Sequence, residues 1–480
     1  MKPILAAGDA APTPSVRWAL ACLSLTMLMP SLDTSIANAG LPTLARAFAA
    51  DFQAVQWIVL AYLLVITTLI VSVGRLGDLL GRRRLLMAGI GLFTLASFLC
   101  GVAPTLWLLV AARAAQGLGA ATMLALTVAF VGETVPKART GSAMGLLGTM
   151  SAIGTTLGPS LGGLLISGVG WRMIFLVNVP LGIGNLLLAR RHLPADRREP
   201  KKDRAGFDSV GTLLLALTLA AYALAMTTGG GRFGVQNAGL LLVAVLGLGL
   251  FVLAEAKAAS PLLRLAMFGN PLLSASLTMS VIVATVIMST MVVGPFYLSR
   301  ALGLEPVEVG LVLSIGPIVS AVSGVLAGRI VDRFGAPVMV MAGLVEMATG
   351  AVALALLPAR FGLAGYIAAI VILSPGYQLF QAANGTVVMM DIDPGQRGVI
   401  SGMLSLSRNL GLITGAAVMG AVFAAAAATT DLSTAAPEAV ATGLRTTFLV
   451  AAMLILGALA LAIGSRVVSM RLSRRHRVPS

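Results

Sequence analysis

The stretch GRLGDLLGRRR, residues 74–84, returns as GRIVDRFG at residues 328–335, so the pattern G-R-x-x-D-x-x-G recurs at an offset of 254. A second series repeats with it: Gly141, Gly145, Gly154, Gly158 and Gly163 have counterparts at Gly398, Gly402, Gly411, Gly415 and Gly420, each at an offset of 257. Glycine supplies 54 of 480 residues, so five matches in one window are hard to credit to chance. The near-equal offsets mark one internal duplication, and the chain reads as two related halves.

What surrounds the repeats is apolar. Hydrophobic residues make up 58% and charged residues 11% of the chain, and the mean hydropathy is +0.96, which excludes an ordinary soluble domain. Fourteen apolar segments, at 18–41, 54–74, 85–103, 106–130, 141–168, 171–189, 209–228, 236–256, 271–299, 307–328, 337–357, 363–390, 398–427 and 444–465, each approach the ~20 residues that cross ~30 Å of hydrocarbon as a helix. The expected fold is an all-α polytopic membrane protein of fourteen spans: a six-helix bundle over 1–190, a basic linker at 191–208, two inserted helices in 209–256, and a second six-helix bundle with a basic tail over 257–480.

Charge orients these spans. Of the 33 Lys and Arg residues, 25 fall in the termini and in alternate connections, including Arg75, Arg82, Arg83 and Arg84, seven between Arg190 and Arg204, Arg329, Arg333 and Arg397. Both termini and those connections are therefore expected on the cytoplasmic side. The net charge of +15 then reports topology, and nucleic acid is not an expected partner. The residues ANA at 37–39 imitate a signal-peptidase site, but the segment before them is long and carries Asp33, so the N-terminus is read as uncleaved. Cys22 and Cys100 lie inside spans and imply no disulfide. His192 and His476 are the only histidines, both in basic segments, so no zinc-protease motif exists, and no phosphate loop supports direct ATP drive. No catalytic set, metal site or cofactor is expected.

Four stretches, the opening one among them, carry a resemblance. LDTSIANAGLP (Leu32–Pro42), GRLGDLLGRRRLL, RAAQGLGAA (Arg113–Ala121) and GTTLGPSLGG (Gly154–Gly163), supported by QWIVLAYLL at Gln56 and WRMIFLVNVPLG at Trp171, resemble the signatures of the major facilitator superfamily. The match is with its fourteen-span drug:proton antiporter family of the EmrB/QacA type. The resemblance implies an exporter in the bacterial cytoplasmic membrane, driven by the proton gradient without a cofactor, working on small lipophilic substrates by alternating access. Some relatives use a periplasmic adaptor; nothing in these loops points to one. The other readings are an importer of the same fold and a membrane sensor or scaffold that transports nothing.

Each motif also has its own physics. An unpaired charge near the bilayer centre costs roughly 2.5–3.5 kcal/mol, so Asp33 in span 1 needs a partner. Arg113 in span 4 lies at the same depth, ~10–12 Å from the outer end at 1.5 Å per residue, with Gln116 one turn on. A carboxylate between a guanidinium, which favours its charge, and a dry surround, which opposes it, can exchange a proton and compete with substrate. The alternative is a permanent salt bridge that only fixes two helices.

In span 5, Gly154 and Gly158 allow close backbone approach, while Pro159, Gly162 and Gly163 favour a bend, so this helix is expected to gate between the halves or merely to pack. In the repeated loop, Gly74 starts a motif in which Asp78 with Arg75, Arg82 and Arg83 forms a charge network, mirrored by Asp332 with Arg329 and Arg333. The resemblance implies that such networks hold the outward-open state.

The second half departs from the family pattern, for span 13 carries Arg408 where several relatives carry acids. Arg408 either faces the cavity and binds an acidic or carbonyl-bearing substrate, or packs. Glu346 is the only mid-span acid of that half, as suited to packing or lipid contact as to lining a cavity for transport. Trp57, Tyr62 and Tyr377 could line a cavity. One carboxylate in an apolar cavity suits lipophilic compounds, monocations among them.

Overall fold

The structure is a computed structural model that describes residues 14–50, 52–136, 139–196, 208–227, 234–258, 261, 263, 265–390, 396–427 and 436–475. The first half contains α1 (Pro14–Ala47), α2 (Phe52–Leu80), α3 (Arg82–Val102), α4 (Leu106–Thr134), α5 (Thr140–Gly168) and a sixth span in two pieces, α6 (Met173–Leu176) and α7 (Asn178–His192). Next come α8 (Ser209–Thr227) and α9 (Val235–Lys257). The second half contains α10 (Pro271–Phe296), α11 (Pro306–Phe334), α12 (Ala336–Met390), α13 (Arg397–Thr414), α14 (Gly420–Ala426) and α15 (Pro437–Arg475). One π-helical turn, Tyr297–Ala301, extends α10 and another, Gly415–Met419, joins α13 to α14. Twelve helices of the described residues are long and apolar enough to cross a membrane.

Helix α12 has 55 residues, about 80 Å if straight and far more than the hydrocarbon needs. It is not straight. Gly362 has φ 52° and ψ −127°, and beyond it the chain runs back. Gly343 meets Gly376 and Phe380, and Gly350 meets Leu373, so closely that neither glycine has room for a Cβ. The expected segments 337–357 and 363–390 are the two arms. Local rules set other boundaries. Asn270 accepts from the backbone N–H groups of Leu272 and Leu273 and caps α10. The last glycine of each repeated motif, Gly81 at φ 100° and Gly335 at φ 87°, takes the left-handed turn between successive helices.

The duplication seen in sequence is a duplication of packing. Gly119 fits against Phe93 as Gly376 fits against Met347; Gly154 fits against Leu28 as Gly411 fits against Val281; Gly158 fits against Ser35 as Gly415 fits against Met288. These contacts equate α4 with the second arm of α12 at an offset of 257, and α1 with α10 at an offset of 253. They also correct the expected place of the span 5 glycines. Gly154 and Gly158 face α1 of their own half, and Gly162 meets Ile36 of the same helix. Gly163 has nothing near it, and the side chain of Pro159 is outside the described residues.

The contact between halves uses the other end of the same helix. Gly141 and Gly145 of α5 lie on Gly328 and Gly324 of α11, and Gly74 of α2 lies on Gly398 of α13. All three pairs sit at the end of the bundle that carries Arg82 and Arg397. Helix α8 packs against both α2 and α13, and its Tyr222 hydroxyl bonds Thr414. Helix α9 rests on α8 and leaves Leu242, Val245, Leu246 and Leu253 exposed, a surface suited to lipid. Of the linker at 191–208, residues 197–207 lie outside the described residues.

Candidate functional site

Asp33, Arg113 and Gln116 meet in the first half, all with no exposed surface. The Arg113 guanidinium donates to Asp33 Oδ2 at 2.5 Å, to Gln116 Oε1 at 2.7 Å and to the Ile58 carbonyl at 3.0 Å. Gln116 donates to Asp33 Oδ1 at 2.8 Å and to Ser97 at 2.8 Å. Asn178 completes the set, donating to Asp33 Oδ1 at 2.8 Å. One carboxylate thus ties together α1, α4 and α7, and through its partners α2 and α3. Asn178 and Ser97 were missed in the sequence; Asn178 stands inside the quoted WRMIFLVNVPLG, where an amide in an apolar run was the available signal.

Two expectations change here. Tyr62 is no cavity wall: it is fully buried, and the Arg113 guanidinium lies 4.2 Å from its ring centroid, a contact that compensates a desolvated cation. Asp33 is no open binding group either. Its oxygens are taken by three side-chain donors and no part of it is exposed, so direct competition with substrate has no route in this conformation. The Arg113 Nη2 atom is buried without a hydrogen-bond partner.

The repeated loop residues form two related latches between the halves. Asp78 accepts from the N–H groups of Gly398 and Val399 at 3.0 and 3.2 Å, capping α13, and from Arg82 at 2.8 Å. Asp332 accepts from the N–H groups of Gly141 and Ser142, both at 2.9 Å, capping α5. Each motif aspartate thus holds a helix N-terminus of the opposite half, where the backbone presents unpaired donors and positive potential. The expected charge networks shrink accordingly. Among the described residues, Arg82 alone pairs with Asp78. Arg83 bonds the Arg190 carbonyl, Arg75 is half-buried, and Arg329 and Arg333 are exposed without an ion pair to Asp332 among the described residues. Arg397 adds a third tie, donating to the Gly132 carbonyl at 2.6 Å.

The remaining candidates do not gather around Asp33. Trp57 and Glu346 are half-buried, Glu346 on the first arm of α12 beside Gly376. Tyr377 is half-buried on the second arm and accepts from Gln381 at 3.3 Å. Arg408 is half-buried on α13, its Nε enclosed without a partner.

The family model described as Major Facilitator Superfamily matches residues 23–416. The chain is similar to the uncharacterized transporter YebQ of Escherichia coli, 33% identical over 413 residues that cover 86% of this chain and 90% of YebQ. It is also similar to the multidrug resistance protein Stp of Mycobacterium tuberculosis, 33% identical over 417 residues covering 85% and 75%. Among solved structures, the human organic anion transporter MFSD10 has a TM-score of 0.66 at 15% identity, over 94% of this chain and all (100%) of that one. At that identity the likeness concerns the fold. Family and fold are those of transporters, not enzymes.

Proposed function

The chain belongs to the major facilitator superfamily, and from that premise we propose that it is a fourteen-span proton-coupled antiporter that exports lipophilic small molecules across a bacterial cytoplasmic membrane. The two bundles, 1–190 and 257–480, rock about a central path. The two arms of α12, counted separately, and α5, added to the twelve long apolar helices, support the reading of fourteen spans. The closed, arginine-rich end is the cytoplasmic one by charge bias, so the conformation faces outward. Small lipophilic substrates, protons and lipid are the partners; the cycle needs no cofactor or nucleic acid.

The observation that carries this reading is an asymmetry. At the packing offsets of 253 and 257, Asp33, Arg113 and Gln116 correspond to Val286, Ile370 and Leu373 of the second half, which are also buried. The same fold is therefore built once around an ion pair and once around hydrocarbon. Since apolar replacement of a buried ion pair is often neutral or stabilising, the fold does not need the charges. Their use lies in a change of state. A proton on Asp33 removes the negative partner of Arg113, loosens the tie among five helices, and favours separation of the latches at Asp78 and Asp332. Deprotonation on the opposite side restores the tie.

The test is pH-gradient-driven dye efflux in inverted vesicles with expression matched between parent and Asp33→Asn. Loss of gradient dependence with folded protein present supports the reading. Unchanged coupling returns Asp33 and Arg113 to a structural role.

A further inference from the structure

Helix α13 identifies what a substrate would meet on the central path. Its neighbours are fixed by contact: Gly398 and Gly402 lie on α2, the Ser401 hydroxyl donates to the Ala125 carbonyl of α4, Gly411 lies on α10, and Thr414 bonds Tyr222 of α8. Arg408 follows Ser401 by seven residues, two helical turns, and so shares its face, between α4 of one half and α10 of the other. It stands eleven residues beyond Arg397, about 16 Å into the membrane at 1.5 Å per residue, near the midplane. The contacts that close the basic end stop short of it: Gly402 meets Ile70 and Val71, and Gly148 meets Gln378.

A charge at that depth and in that direction needs a partner. Among the described residues Arg408 has none: no hydrogen bond or ion pair reaches it, and its Nε is enclosed and unsatisfied. The buried carboxylate of the first half is already occupied by Arg113, Gln116 and Asn178. Glu346 sits on the first arm of α12 beside Gly376, the arm equivalent to α3. Among the described residues, the ionisable group on this face of α13 is thus a cation, and a guanidinium with free donors recognises carboxylate, phenolate or acceptor-rich carbonyl groups.

We propose that Arg408 is a substrate-binding residue and that the exported molecules are lipophilic anions or polyketone-like acceptors, not cations. The proposal rests on the exporter reading and deepens it. The substrate's anionic group takes the partner position that Arg408 lacks.

Three dyes decide it: fluorescein as anion, a rhodamine methyl ester as cation of the same ring system, and Nile red as neutral probe. Binding is read by fluorescence polarisation on the detergent-solubilised full chain, and transport in proteoliposomes. The parent is expected to bind and move fluorescein at least tenfold better than the rhodamine ester. Arg408→Gln is expected to lose at least tenfold on fluorescein with Nile red unchanged, and Arg408→Lys to recover part of the loss. Preference for the cation, absence of saturable fluorescein binding, or an Arg408→Gln variant as selective as the parent overturns the proposal. The parent's preference needs no variant, so a misfolded substitution does not blunt the test. If anion selectivity holds but no pH gradient drives transport, the proton-coupling reading fails and this one stands.

Discussion

At the scale of single residues, the chemistry of this protein is the placement of a few charges in a dry interior. Asp33 and Arg113 satisfy each other within a shell of amides and an aromatic ring, so removing one partner leaves a buried, uncompensated charge. Arg113→Ala should lose about 3–5 kcal/mol, measured as a fall in thermal midpoint by a fluorescence melt. The second half offers the control. A triple variant, Asp33→Val with Arg113→Ile and Gln116→Leu, copies Val286, Ile370 and Leu373, and should melt well above Arg113→Ala while showing no gradient-driven efflux. A triple variant as unstable as Arg113→Ala would mean that the ion pair is needed for the fold. The pair is legible in the sequence because a carboxylate and a guanidinium at matched depth are conspicuous in apolar spans. Asn178 and Ser97 are not legible there, since small polar residues are common in such spans and only the folded chain shows which ones point at the site.

At the scale of elements, helix ends and glycine faces do the work. Asp78 and Asp332 each cap a helix of the other half, and loss of a cap costs about 0.5–2 kcal/mol. Asp332→Ala should therefore raise the population open at the basic end about two- to thirtyfold, seen as a longer distance between spin labels on α5 and α11; an unchanged distance distribution would show that the cap carries no conformational bias. The glycines of α5 should separate by position. Gly145→Val meets the backbone of Gly324 and Gly328 across the halves and should prevent closure of the basic end while leaving each half folded. Gly154→Val meets Leu28 and Leu32 within one half and should destabilise that half, lowering the thermal midpoint. Labels and melts on the two variants distinguish gating from packing. In sequence the five glycines form one motif, and nothing in their spacing says that two face the other half and two face α1.

At the scale of the whole molecule, the halves touch at the basic end, with α8 bridging α2 and α13 from the side. A cysteine at Ser405, on the face that holds Arg408, should react with a membrane-impermeant thiol reagent added from the side opposite the basic end and not from the basic side. Cys22 and Cys100 are fully buried and leave the background silent. Labelling only from the basic side would reverse the assigned state. The helical membrane class, the duplication, the apolar segments and the matched depth of Asp33 and Arg113 are all legible in the amino-acid sequence, because hydropathy, charge bias and residue depth are one-dimensional properties that local rules convert into helices. Which helix each motif faces belongs to the folded chain alone: that Asp33 is sealed, that Tyr62 covers Arg113, that Asp78 and Asp332 cap helices rather than gather arginines, and that Arg408 on α13 has no partner among the described residues. Those outcomes depend on the rotation of each helix about its axis and on contacts between residues far apart in the chain, within a half for Asp33 and Tyr62 and across the halves for Asp78 and Asp332, which packing sets and no local spacing encodes.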